Sequence, residues 1–161
     1  MMTRPRAREG ALPDWITPSG VDPGRLPVEP LLHQALTPHK EQFRSACNLL
    51  AAMVSHGRQD AGVVLLGLLS YYRDDFERLA EVVRALRAFQ SRESVEALIN
   101  ELRRVTSSNT TRRYLDAVLT ALSRLPRELV YDRLLELSRD RSFSVKWRRK
   151  FEDAARRLEG Q

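Results

Sequence analysis

The 161-residue chain contains one cysteine, Cys47. A single thiol excludes an internal disulfide framework and fits a reducing compartment, so a cytoplasmic location is expected. Histidine is nearly as scarce. His33, His39 and His56 are dispersed, no HExxH or Cys/His cluster occurs, and neither a metal site nor a cofactor is expected. After residue 70 the only glycine is Gly160, so the second half holds no Gly-rich phosphate loop. Strand-like β-branched runs are scarce there too, which points to an all-α fold. The longest apolar run, Gly62 to Tyr72, is about half of the roughly 20 residues that span a bilayer, so no transmembrane segment is expected. The N-terminal stretch carries arginines but no apolar core of a secretory signal. No two carboxylates stand out as an acid–base pair, and Ser and Thr fall mostly at helix caps. The pattern favours a non-catalytic role over an enzyme.

What is present is helical periodicity. From Asp75 to Val105 two amphipathic patterns follow one another. In the first, Phe76, Leu79, Val83 and Leu86 recur at three- and four-residue steps on one face. Val82 and Phe89 widen that stripe, and Glu77, Arg78, Glu81, Arg84 and Arg87 fill the opposite side. Asp74 or Asp75 can cap it. Gln90-Ser91-Arg92 breaks the pattern. Val95, Leu98, Ile99 and Leu102 then form a second stripe, with Ser91 or Ser94 as its cap. Neither helix hides its apolar face alone, so the two are expected to pack antiparallel across the short turn.

Residues 1–37 differ from the rest. Seven of the eight prolines lie between Pro5 and Pro38. Proline lacks the helical donor and biases its predecessor to extended geometry, so no useful helix is expected before Leu31. The segment reads as an extended Pro-rich arm, a solvated tail or one lying on a partner or back on the helices. Its anchors would be Leu12, Trp15, Ile16, Val21, Leu26, Val28, Leu31 and Leu32. Removing residues 1–36 is then expected to weaken partner binding and leave thermal stability nearly unchanged.

Beyond the arm, residues 38–161 read as one helical domain. Thr37-Pro38 opens a helix reaching Val54, with Phe43, Ala46, Cys47 and Leu50 inward. Gly57 suits the following turn. The helix from Ala61 to Tyr72 is apolar nearly all round and should be covered on most sides. After the central pair, Asn109 can cap a helix bearing Leu115, Val118, Leu119 and Leu122. Pro126 starts its partner, bearing Val130, Leu134 and Leu137. Ser142 can cap a last helix with Trp147, Phe151, Ala154, Ala155 and Leu158 inward.

The offsets repeat. Leu69, Leu102 and Leu137 are 33 and 35 residues apart, and Leu50, Leu86 and Leu119 are 36 and 33 apart. A period in the thirties indicates stacked helical units. Residues 78–105, RLAEVVRALRAFQSRESVEALINELRRV, resemble a HEAT-type repeat: an ALxxL-like ending at Ala85 to Phe89, a short turn, then Val95-Glu96-Ala97-Leu98-Ile99. Residues 117–139 repeat it, and residues 48–72 resemble it more loosely. The resemblance covers about residues 40–160. It implies a short α-solenoid of about three and a half antiparallel helix pairs that acts as a protein-binding adaptor or scaffold, a subunit of a larger assembly. Two branches of the family imply alternatives: a phycobilin lyase-like or chaperone-like factor for a light-harvesting protein, or a nucleic-acid-binding protein.

The formal net charge is +6. Arg103-Arg104, Arg112-Arg113 and the stretch from Lys146 to Lys150 could line one edge, for an acidic protein surface or, less in keeping with the interspersed acids, for nucleic acid. HEAT-like proteins use their second helices as a concave wall, which implies Tyr72, Arg73, Asn100, Arg103, Arg104 and Arg133 as surface contacts. Trp15 and Ile16 would add a second grip from the arm.

Overall fold

The computed structural model describes residues 12–161, so the first eleven residues of the expected arm lie outside the described residues. Eight helices follow a minimal hairpin. β1 (Ile16–Thr17) and β2 (Gly20–Val21) pair antiparallel, with Ile16 opposite Val21. The helices are α1 (Val28–Ala35), α2 (Lys40–Ser55), α3 (Gln59–Tyr71), α4 (Phe76–Leu86), α5 (Arg92–Arg104), α6 (Arg112–Ser123), α7 (Arg127–Arg139) and α8 (Val145–Glu159). Among the described residues the fold is all-α apart from that hairpin. Among the described residues no helix is long and apolar enough to cross a membrane.

The first helix, Val28–Ala35, corrects the expectation that no useful helix begins before Leu31. Pro27 stands at the N-cap of α1 and Pro30 in its first turn. Amide hydrogens at those positions have no intrahelical acceptor, so proline costs nothing there. Leu26, Leu31 and Ala35 are buried in the common core. Arg58, in the α2–α3 turn, donates through Nη1 to the carbonyls of Leu26 at 2.8 Å and Gly24 at 3.3 Å, pinning the segment that leads into α1.

The pairing of helices follows the expected frame in part: α2 packs on α3 as expected, but α1 also packs on α2, α3 on α4, α5 on α6 and α7 on α8. Helices α4 and α5, expected to form the central hairpin, turn mainly to other neighbours: α4 lies against α2, α3 and α6, and α5 against α6 and α7. The width of the α4 stripe explains this. Leu79, Val82, Val83, Ala85 and Leu86 are all buried, more of the circumference than one partner covers.

Like positions in successive pairs are joined by polar contacts at similar offsets. Lys40 Nζ meets Glu77 Oε2 at 2.7 Å and Arg44 Nε meets Glu81 Oε1 at 3.3 Å, both from α2 to α4. Arg133 of α7 grips Glu96 of α5 through Nε and Nη2 at 3.0 and 2.9 Å. Lys150 Nζ of α8 meets Asp116 Oδ1 of α6 at 2.6 Å. These offsets of 37, 37, 37 and 34 residues match the leucine spacing. Leu69, Leu102 and Leu137 are each buried, as are Leu50 and Leu86, while Leu119 is half-buried against the same core. Each fully buried leucine contributes about 1.5–3 kcal/mol relative to exposure.

Caps fall where short polar side chains meet free amides. Asp75 accepts from the Arg78 N–H and Ser91 from the Ser94 N–H. For the last helix the cap is Ser144, two residues beyond the expected Ser142. Gly57 takes φ +85°, as its turn requires. Helix α3 is less covered than its composition suggested: Val63 is 64% exposed, Tyr71 is 65% exposed, and Gly67 faces open space between them.

Candidate partner-docking site

The end of α5, the start of α6 and the start of α8 enclose a cavity of about 390 Å³. Leu102, Val105, Leu115 and Phe143 supply apolar wall, and Arg103, Thr106, Ser107, Ser142 and Ser144 the polar part. Trp147, one turn into α8, stands between the two. Its Nε1–H donates to Ser107 Oγ at 3.4 Å, and its ring leans on Phe151 at a centroid distance of 5.9 Å. The Lys150 ammonium lies 4.5 Å from the Trp147 ring centroid.

The loops around this cavity are fixed by their own hydroxyls. The Ser108 N–H donates to Thr111 Oγ1 at 2.9 Å, the Thr111 N–H returns a bond to Ser108 Oγ at 3.3 Å, and Thr111 Oγ1 donates to the Thr106 carbonyl at 2.6 Å. This reciprocal arrangement is a capping box built from Ser and Thr. On the other side Asp140 Oδ1 accepts from the Ser142 N–H at 2.9 Å. Hydrogen bonds from Ser142, with Arg103 nearby, hold the Asp140 carboxyl below the usual carboxylate range. Arg103 Nη2 lies 3.6 Å from Asp140 Oδ2, an ion pair longer than a hydrogen bond.

Electrostatics distinguish this end of the molecule. Six of the eight described helices carry an acid in their first turn, as the helix dipole favours. Helices α6 and α8 carry none; they open with Arg112-Arg113 and with Lys146. The Trp147–Ser107 and Lys150–Asp116 bonds hold those two starts side by side. Residues 103–161 bear fifteen Arg and Lys against eight Asp and Glu, whereas residues 12–102 bear nine against twelve. The basic excess is therefore concentrated where the helix ends already attract anions.

The contacts expected from sequence divide into three groups. Arg103, at the cavity wall, and the exposed Asn100 and Arg73 face solvent. Arg104 and Arg133 have their guanidiniums occupied within the chain: Arg104 by Glu101, through Nε and Nη2 at 3.0 and 2.7 Å, and Arg133 by Glu96 and Glu136. Tyr72 departs from the expectation. It is buried, its hydroxyl is bonded to Ala35, and its ring meets Phe43 edge-on at 5.2 Å, because α1 covers it. Trp15 is half-buried against the core while its neighbour Ile16 points outward on β1, so only Ile16 offers a surface. Of the serines at the cavity, the sequence marks only Ser142, as a possible helix cap. The missed signal was two helix starts with cations in place of acids.

No metal-holding group of three or more His, Cys, Asp or Glu exists among the described residues. Compared with known proteins, the chain matches no family model, no curated protein and no solved structure.

Proposed function

We propose that the chain is a non-catalytic docking module of HEAT-like helical pairs that binds an acidic segment of a partner protein at the α6–α8 end. Its role is that of an adaptor or scaffold subunit. The stacked pairs support the solenoid reading. Contacts run α2 to α4 to α6 to α8, and α1 to α3 and α5 to α7, with the 34- and 37-residue offsets described above. A rigid stack of this kind presents surface, and its chemistry lies in what the surface attracts.

The observation that carries the proposal is the pair of adjacent helix starts, α6 and α8, with cations in place of acids, on the two helices that supply Leu115 and Trp147 to an open cavity. Placed against their own dipoles, those cations cost stability in the free protein. A carboxylate-bearing partner recovers that cost by adding charge pairs at the rim. The interspersed Glu152 and Asp153 on α8 favour a protein partner of mixed charge over the continuous phosphate array of nucleic acid, which they would repel.

The test uses the full chain and a fluorescein-labelled ten-residue peptide rich in Glu and Asp. Binding should be measurable at low salt and fall with rising ionic strength. The double substitution Lys146→Glu and Arg149→Glu should reduce it at least ten-fold, with the far-ultraviolet circular dichroism unchanged. Tight binding of duplex DNA with no binding of the acidic peptide would overturn the proposal in favour of nucleic acid.

A further inference from the structure

We infer that the cavity beside Trp147 receives one large apolar side chain of the partner segment, and that the acids flanking this anchor lie on the rim cations. The inference rests on the docking reading above and adds to it what the segment must contain besides charge.

The cavity volume, about 390 Å³, falls within the range of small-ligand pockets and exceeds what a carboxylate alone would fill. Its walls are Leu102, Val105, Leu115, Phe143 and the Trp147 ring. Ser107 Oγ and Ser144 Oγ each accept from Trp147, at 3.4 and 3.3 Å, and the Ser142 N–H donates to Asp140. The larger part of the wall is apolar side chain, against which a wholly polar occupant would give up hydrogen bonds to water. Arg103 is the cation on the wall, and exposed Arg112, Arg113, Lys146 and Arg149 belong to α6 and α8, the helices that supply Leu115 and Trp147 to it. An apolar interior inside a cationic rim is complementary to an aromatic or long aliphatic residue between Asp or Glu residues. Interfaces of this type concentrate their energy in a central apolar anchor with charge at the rim.

The experiment compares three labelled ten-residue peptides on the full chain carrying Trp15→Phe, so that Trp147 is the remaining tryptophan. The first peptide is acidic with a central Phe, the second has Ala in place of Phe, and the third keeps Phe but has Gln and Asn for the acids. The first should bind at least ten-fold tighter than either other and shift the Trp147 emission to shorter wavelength. Thr106→Trp and, independently, Ser142→Phe should fill the cavity and bring the first peptide down to the affinity of the second, with unchanged melting curves. Equal binding of the first and second peptides overturns the anchor while leaving the acidic docking reading intact. Equal binding of the first and third overturns the cationic rim. Failure of both acidic peptides to bind overturns the docking reading itself and the anchor with it.

Discussion

The Tyr72 hydroxyl donates to the carbonyl of Ala35 across 2.5 Å, joining the C-terminal ends of α3 and α1. Ala35 closes α1, where the last carbonyls lack intrahelical donors, so the tyrosine satisfies a group the helix leaves open. Beside it Phe43 and the Arg78 guanidinium, 5.2 Å from the Tyr72 ring centroid, complete a junction of four helices. Helix α1 is therefore part of the core. Leu31→Ala should lower stability by about 2–5 kcal/mol, the usual cost of emptying a buried leucine site. Tyr72→Phe should cost about 1–3 kcal/mol by leaving the carbonyl unpaired. A chain beginning at residue 37 should melt far below the full chain in a thermal scan, the reverse of what a proline-rich arm suggested. An unchanged midpoint would show that α1 only rests on the surface.

The same junction marks where sequence reasoning succeeded and where it stopped. Periodicity found the stripes of α2 and α4 to α8, because one apolar face per helix is a local pattern. It missed α1, since prolines at 27 and 30 were read as breaks when they stand before and inside a first turn. It paired α2 with α3, which do pack together, but also α4 with α5 and α6 with α7, which turn mainly to other neighbours. A stripe states that a face is buried but not against which neighbour, and the widened stripe of α4 fits several. Tyr72 was placed on the surface for the same reason: its cover is α1. At the candidate site, Arg103 was legible as an exposed cation. That Arg104 and Arg133 spend their charge inside the chain was not, because Glu96 is 37 residues from Arg133.

Gly62, in α3, is held to a hydrogen side chain by Phe89. A Cβ built there would lie 2.7–2.8 Å from three atoms of the Phe89 ring, which is itself buried. In an open helix Gly→Ala would gain about 1 kcal/mol in propensity. Here overpacking, typically about 1–3 kcal/mol, should exceed that gain. Gly62→Ala should lower the urea midpoint, and Phe89→Leu in the same chain should recover part of the loss. At Gly67, where nothing lies within 4 Å, the same change should stabilise. If both alanine variants were equally stabilised, the close approach of Phe89 would be refuted.

Glu101 is a buried carboxylate with three donors on it. Arg104 contributes Nε and Nη2, and the Tyr114 hydroxyl donates at 2.6 Å. Burial, together with that bond, pushes the Tyr114 hydroxyl far above the usual phenol range. Tyr114→Phe should cost about 1.5–3 kcal/mol, the worth of a hydrogen bond to a charged group. Glu101→Gln should also destabilise, because it removes the charge facing Arg104. As the Tyr114 bond is charge-assisted only while residue 101 is a carboxylate, the double variant should cost less than the sum, with a coupling of about 0.5–3 kcal/mol in a urea cycle. Strict additivity would mean that the tyrosine and the carboxylate act independently.

Cys47 sits on α2 with no exposed surface to speak of, and burial, with the Glu81 carboxylate nearby, pushes its thiol up to about 12 from the ordinary 9.0. The folded chain thus holds its thiol proton after the unfolded chain has released it. Below pH 9 this difference has no effect on stability. Between pH 9 and about 12 the unfolded state binds fewer protons, so stability falls as pH rises, towards a limit of about 4 kcal/mol for this group. The hydroxyls of Tyr72 and Tyr114 are raised too and act in the same direction, so the informative quantity is a difference. Cys47→Ala should lose stability less steeply than the parent chain between pH 9 and 11, measured by urea unfolding. Native protein at pH 8 should also resist iodoacetamide, with reaction appearing only in denaturant. Prompt alkylation of the folded chain would place the thiol at the surface and remove the basis for the alkaline slope.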